Sequence, residues 1–437
     1  MEPVWKEFYD KATLLGHDME LLEQGEAVER YFTFATLTEG SLLLSVATPE
    51  QRRQRQVTFF TPPVAARQRL GQGKHDRGEA ILFAEGAFDD GDEQGVNNHL
   101  PARIKAVSIK EKRVPAGTTW DISVRGAQWG IDDLEELYTT INVGRLILEP
   151  GARITVQGNV CSMLIQELVV LPGVTAGMQQ DFHIGILPTP FSVDLKHGPM
   201  DGAHGTHGGN GIKGDNGEAA QVSSTMLGHV LIQDIDPLKM NGRHGTDGHN
   251  GTDGTDGRNG GMCKIAEITI RRLEGNLRIY AQAGSGGNGG HGGHGGDGGD
   301  GGDGSRGYKL MGGMLGAGDG GNGGNGGHGA KGGHAGNGGL SSNIYITIPD
   351  KYEHQVRCLS LDAPGGKAGK GGIAGKAGAA GLEGTLPQPA TAGIPGRDGQ
   401  EGKPGKDGRS RPGAYIFLNE TCVQGDLQVT APQLQKI

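Results

Sequence analysis

Cysteine is scarce: four in 437 residues, at 161, 263, 358 and 422. No two lie closer than 64 positions and no CxxC occurs. That spacing argues against a zinc ribbon or a disulfide framework and reads as buried thiols. Aromatic residues make up only 5% of the chain and apolar residues only 34%. A single large enzyme core is therefore not expected. Apolar runs such as Leu164–Leu171 are too short to cross a bilayer. The start, Met1-Glu-Pro-Val-Trp-Lys-Glu7, lacks the basic and apolar regions of a secretory leader. The expected localisation is cytoplasmic until release, or on a virion or extracellular particle. Net charge is −9, and no basic stripe runs with interleaved aromatics. Nucleic acid is therefore not an expected partner. GxSxG, P-loop and HExxH motifs are absent too. An enzyme reading has no residues behind it, and no cofactor is expected.

What the chain has is glycine. It holds 84, of which 18 fall in residues 1–197 and 65 in residues 198–413. Three regions follow from that break. Residues 1–115 read as an N-terminal α/β or irregular attachment region. Trp5, Phe8, Tyr9, Ala12, Leu15, Met19 and Leu22 recur at helical steps, either packing on a core or docking a larger assembly. Residues 48–114 read as long loops with a few short strands. Residues 116–197 alternate apolar and polar side chains, as in a β-sandwich or a β-solenoid.

Residues 198–437 carry six tracts with glycine at every third position: Gly202–Gly217, Gly242–Gly260, Gly284–Gly307, Gly316–Gly339, Gly366–Gly384 and Gly393–Gly408. A period of three fits a threefold extended helix, used by collagen and by polyglycine II. The tracts carry little proline, Pro395 and Pro404 alone, and the third and fourth double their glycines. Both features favour polyglycine II, with the doubled tracts at the centre. The expected fold class is mainly β plus polyglycine II. An N-terminal helix and β region, with further strands, would form the base of a bundle of six extended helices.

The connectors extend this expectation. If the tracts alternate up and down, 261–283, 340–365 and 409–437 lie at the base. Each carries two strand-like runs, which read as hairpins. Connectors 218–241, 308–315 and 385–392 then lie at the tip as loops. Tyr308, Lys309, Leu310, Met311, Met314 and Leu315, with Leu386, are the candidate receptor-binding residues, since Met and aromatic side chains suit such contacts.

The tracts resemble the glycine-rich cores of polyglycine II sandwich proteins, and in plan the tip adhesins of phage tail fibres. That resemblance implies a rigid scaffold that presents tip loops to a cell-surface receptor or glycan. The alternatives are a self-assembling filament or array subunit joined through β edges, a homo-oligomer or larger particle, and a leaderless toxin. His291 and His294 form an HxxH pair. On an extended tract they stand ~9 Å apart, too far to share one zinc ion. No metal site is assigned.

Overall fold

The structure, a computed structural model, describes residues 3–60, 82, 100–130, 136–173, 182–189, 200–385 and 389–423. The alternating aliphatics build two sheets that share one apolar core. The larger contains β1 (Val28–Phe34), β2 (Ala102–Val114), β4 (Leu137–Leu148), β6 (Val160–Val170), β10 (Ala266–Glu274), β14 (Ile344–Thr347), β16 (Ile416–Leu418) and β17 (Thr421–Cys422), in that order. From β2 to β16 the pairing is parallel; β1 and β17 close the two ends antiparallel. The second sheet holds β3 (Thr119–Asp121), β5 (Arg153–Gln157), β7 (Ile184–Leu187), β11 (Leu277–Gln282) and β15 (Val356–Leu361), all parallel.

Register makes the core. Val107, Ile141, Met163, Ile268, Ile346 and Leu418 pair successively across the first sheet. Trp120, Ile154, Ile184, Ile279 and Cys358 do the same across the second. Each rung thus contributes one strand to each sheet, and a one-residue slip would turn its aliphatics out of the core.

Two of the three supposed base hairpins are corrected here; in 409–437, β16 and β17 pair antiparallel and the residues after 423 lie outside the described ones. β10 and β11 lie in different sheets, as do β14 and β15. The Glu274-Gly275-Asn276 corner, with Gly275 at φ +89°, carries the chain from one sheet to the other.

Four helices belong to the N-terminal region: α1 (Pro3–Leu14), α2 (Met19–Glu23), α3 (Leu37–Leu44) and α4 (Pro49–Phe60). Asp18 caps α2 through the amides of Glu20 and Leu21, and Thr36 caps α3 through that of Glu39. The stripe on α1 is a core stripe, not a free docking face. Phe8, Ala12, Leu15 and Leu22 are buried. Trp5 lies over Gly144, where a Cβ would come within 2.1 Å of the indole. Within 48–114, the described residues lie mostly in α4 and the thirteen-residue β2 and not in loops; the rest of the span lies outside the described residues. Buried polar groups pin these helices to the first sheet. Arg55 pairs with Glu420 at 2.6 Å and Glu267 at 3.5 Å and lies over the Tyr345 ring at 4.5 Å. Lys11 donates to the Leu43 carbonyl at 2.7 Å. Burial pulls its pKa down to about 8, against the attraction of Glu267 and Glu7.

The expected fold class is corrected. The chain is α/β, with three sheets of which the largest has eight mostly parallel strands. It is not a mainly β protein organised on a bundle of six polyglycine II helices. No described tract residue belongs to a regular helix. The reason lies in the aliphatics of the connectors: they stack in register with residues 102–187 and make the regular architecture there.

The tracts lie side by side, outside the helix and strand classes, joined by backbone bonds at every third residue. The first, third and fifth run parallel in one layer: Gly205 donates to the His291 carbonyl and Gly292 to that of Lys370. The second, fourth and sixth form the other: Gly245 donates to the Asn322 carbonyl and Gly323 to that of Ile394. Antiparallel bonds cross between layers, such as Gly293 to Thr252, Gly327 to Gly296 and Gly375 to Gly327.

The doubled tracts are central, each bonded to four others. A Cβ on Gly292 would stand 2.1 Å from the Ala330 carbonyl oxygen, and one on Gly293 1.8 Å from that of Thr206. The fifth tract has no further tract in its layer. There Ala368, Ala374, Ala377 and Ala380 replace one glycine of each pair. In the sixth, Pro395 and Pro404 occupy the matching row, where an amide would have no tract to meet.

In the first four tracts the third residue of each triplet has its own task. Its side chain accepts from the backbone N–H of the residue facing it in the next tract of the layer. His204 accepts from His291, His291 from Lys370, Asn322 from Ile394 and Asn325 from Arg397, at 2.8–2.9 Å. Asn, Asp and His place an acceptor atom close to the backbone. Lys213 and Lys331 carry none, and the facing amides of Asp300 and Lys403 gain no such bond.

Candidate functional site

The far end of the glycine block carries a third sheet. It is built from β8 (Val222–Thr225), β9 (Gly228–Leu231), β12 (Tyr308–Leu310) and β13 (Gly313–Leu315), in the order β13-β12-β9-β8. The expectation of three loops is corrected for the first two connectors, which fold into two hairpins. The hairpins join through Leu310 beside His229, and the Met311 amide donates to the His229 carbonyl at 3.0 Å. The His229 and Tyr308 rings meet edge to face at 5.4 Å.

Alternation gives this small sheet two characters. One side caps the block: Leu315, Ala220 and Met240 are buried, with Val222, Leu231, Ile235, Tyr308 and Leu310 packed on them. The other side is open and carries apolar side chains alongside the exposed Lys309 and Ser223. Met311 and Met314 are 55% and 54% exposed, and Val230 and Ile232 are exposed beside them. Met226 and Leu227, on the β8–β9 turn, are 106% and 81% exposed. Thr225 Oγ1 reaches Met311 Sδ at 3.8 Å, linking the two hairpins.

The candidate residues therefore divide. Lys309, Met311 and Met314 face solvent. Tyr308 and Leu310 are half-buried, and Leu315, 8% exposed, is a cap residue and not a surface one. Leu386 lies outside the described residues. Met226, Leu227, Val230 and Ile232 were missed. Their signal was the Ser-Ser-Thr-Met-Leu-Gly-His-Val run at 223–230, two short β segments around a turn that ends on glycine.

A hollow of about 170 Å³ beside the sheet is lined by Glu218, Gln221, Gln233, Asp234, Asp236 and Lys239. Asp236 Oδ1 accepts from the Leu238 amide. At the same end, hydrogen bonds from the Thr391 amide and hydroxyl hold Asp319 below the usual carboxylate range.

Elsewhere the reactive groups are quiet. None of the four cysteines forms a disulfide; burial pushes Cys161 up and Cys358 up to about 12, so neither is a ready thiolate. His207 and His294 stack at 4.5 Å, and each Nδ1 accepts a backbone N–H. Among the described residues no three His, Cys, Asp or Glu side chains gather around a common metal position, and no described helix is long and apolar enough to cross a membrane. No family model, curated protein or solved structure matches this chain.

Proposed function

We propose that this chain is a non-enzymatic binding module, with the tip sheet presented to a receptor on a cell surface, as in the adhesins that its tracts resemble. One observation carries the reading: the tip sheet and its β8–β9 turn expose six apolar side chains from two separate connectors. Antiparallel sheets with one face on a core commonly turn polar residues outward. Methionine supports adaptable contact because its side chain is flexible and polarizable. The glycine block, held by backbone bonds throughout its width, keeps that face rigid and far from the helical base.

Self-assembly through β edges is less well supported. The antiparallel β1 and β17 terminate the large sheet, and β1 carries Glu29, Arg30 and Tyr31 at its exposed positions.

Fluorescently labelled protein binding to a panel of intact cells tests the proposal. Met226→Ser, Leu227→Ser, Met311→Ser and Met314→Ser together should abolish the binding while the fold stays intact. Unchanged binding, or no binding by the native chain to any cell, overturns it.

A further inference from the structure

The sixth tract carries a row of cations that the tip reading does not use. Arg397, Lys403, Lys406 and Arg409 stand three or six residues apart on one edge, with Gln400 between them, and all are exposed. Three residues of extended chain span at most about 10 Å, so the charges form a straight rail. Beside Lys403 in the same layer stands Lys331 of the fourth tract, also exposed. Among the described residues none of these five cations forms an ion pair. The acids of the sixth tract occupy a different edge. Asp398 and Asp407 accept from the amides of Ala377 and Ala368 in the fifth tract, and Glu401 shares their row.

The rail is fixed before any ligand arrives. The amides of Arg397, Lys406 and Arg409 donate to Asn325, His334 and Asn337 of the fourth tract at 2.8–2.9 Å. On the other side Gly396, Gly402 and Gly408 donate to carbonyls of the fifth. A preset backbone lowers the ordering cost of binding. Between the cations lie further hydrogen-bonding groups. Because Nδ1 of His328 and His334 accepts a backbone N–H, the neutral ring carries its proton on Nε2, where it can donate. Asn325 uses Oδ1 in the same way and keeps its NH₂ group as a donor, while the Asn337 NH₂ already donates to Asn259 Oδ1.

We propose that this face binds a linear acidic polysaccharide lying along the sixth tract, carboxylates on the Arg and Lys side chains and hydroxyls on the amides and imidazoles. The surface is flat and the outward row holds no aromatic side chain, so bases have nothing to stack on. It holds one exposed apolar residue, Ile394, at its tip-ward end, which gives a bilayer little to bury. This site is separate from the tip and does not depend on it.

The test uses the full chain and immobilised polygalacturonate. The expected result is binding that weakens steeply with added salt. The combined exchange Arg397→Gln, Lys403→Gln, Lys406→Gln and Arg409→Gln should lower affinity by about tenfold or more. Lys403→Gln alone, which disturbs no backbone bond, should lower it by a smaller step. The four-serine tip variant should bind as the native chain does, which separates this site from the tip. Absence of binding at low salt, or a quadruple variant that binds as well as the native chain, overturns the proposal. So does tighter binding to single-stranded DNA or to anionic phospholipid vesicles than to polygalacturonate.

Discussion

In the sandwich, side chains from Val107 to Leu418 stack through six strands and exclude water. In the glycine block, the two layers hold no such filling. The strand β7 leads to the first tract, β11 to the third and β15 to the fifth; the second, fourth and sixth tracts return to β10, β14 and β16. One layer order therefore runs through both regions. At one end cohesion comes from buried aliphatics. At the other it comes from backbone bonds at each third residue plus a side-chain acceptor in most triplets of the first four tracts. A sheet tolerates a lost methylene by leaving a cavity, whereas a layer of touching backbones has no room for a gained one.

Three substitutions probe that contrast. The largest effect is expected from Gly293→Val, whose Cβ would lie 1.8 Å from the Thr206 carbonyl oxygen. No side chain can swing away there, and a loss of more than about 3 kcal/mol is expected. Ala374→Val, on the edge of the fifth tract, should change stability by less than about 0.5 kcal/mol. Comparable melting of the two variants would break the backbone-contact account. Next comes Ile268→Ala in the sandwich. Calorimetry should show a loss of about 3 kcal/mol. Amide exchange in the central tracts resolves whether the two regions unfold together: faster exchange there would join them into one cooperative unit.

A smaller effect than in either core concerns the triplet acceptors. His291→Leu removes the atom that receives the Lys370 amide and should cost about 1 kcal/mol. His291→Asn retains an acceptor and should be close to neutral in chemical denaturation. Equal losses for both would mean that the ring contributes by stacking on His204 at 4.8 Å, and not by accepting.

Much of the block was legible because glycine periodicity is a steric record. Doubled glycines marked the tracts with neighbours on both sides, whereas the alanines of the fifth tract went unread as the sign of an edge. The rungs were harder. A pair such as Ile268 and Ile279 around Gly275 has the same alternation in a hairpin as in a corner between two sheets, and only partners far along the chain decide. Those partners, Met163 and Ile184, lie before two glycine tracts that separate them in sequence. At the tip, Met311 and Met314 were recognisable as apolar residues in a short connector, but Leu315 could not be sorted from them without its contact with Met240. The cation rail escaped notice because acids alternate with it along the tract; the separation appears only when every third residue is assigned an edge.

Each excursion of two tracts leaves from one sheet and returns to the other, between consecutive rungs. The block can therefore be inherited as countable pairs. Duplication of a pair together with its rung would widen the molecule in even steps and add one more connector to the same end. The surface available for variation would grow while the helical base remained as it is.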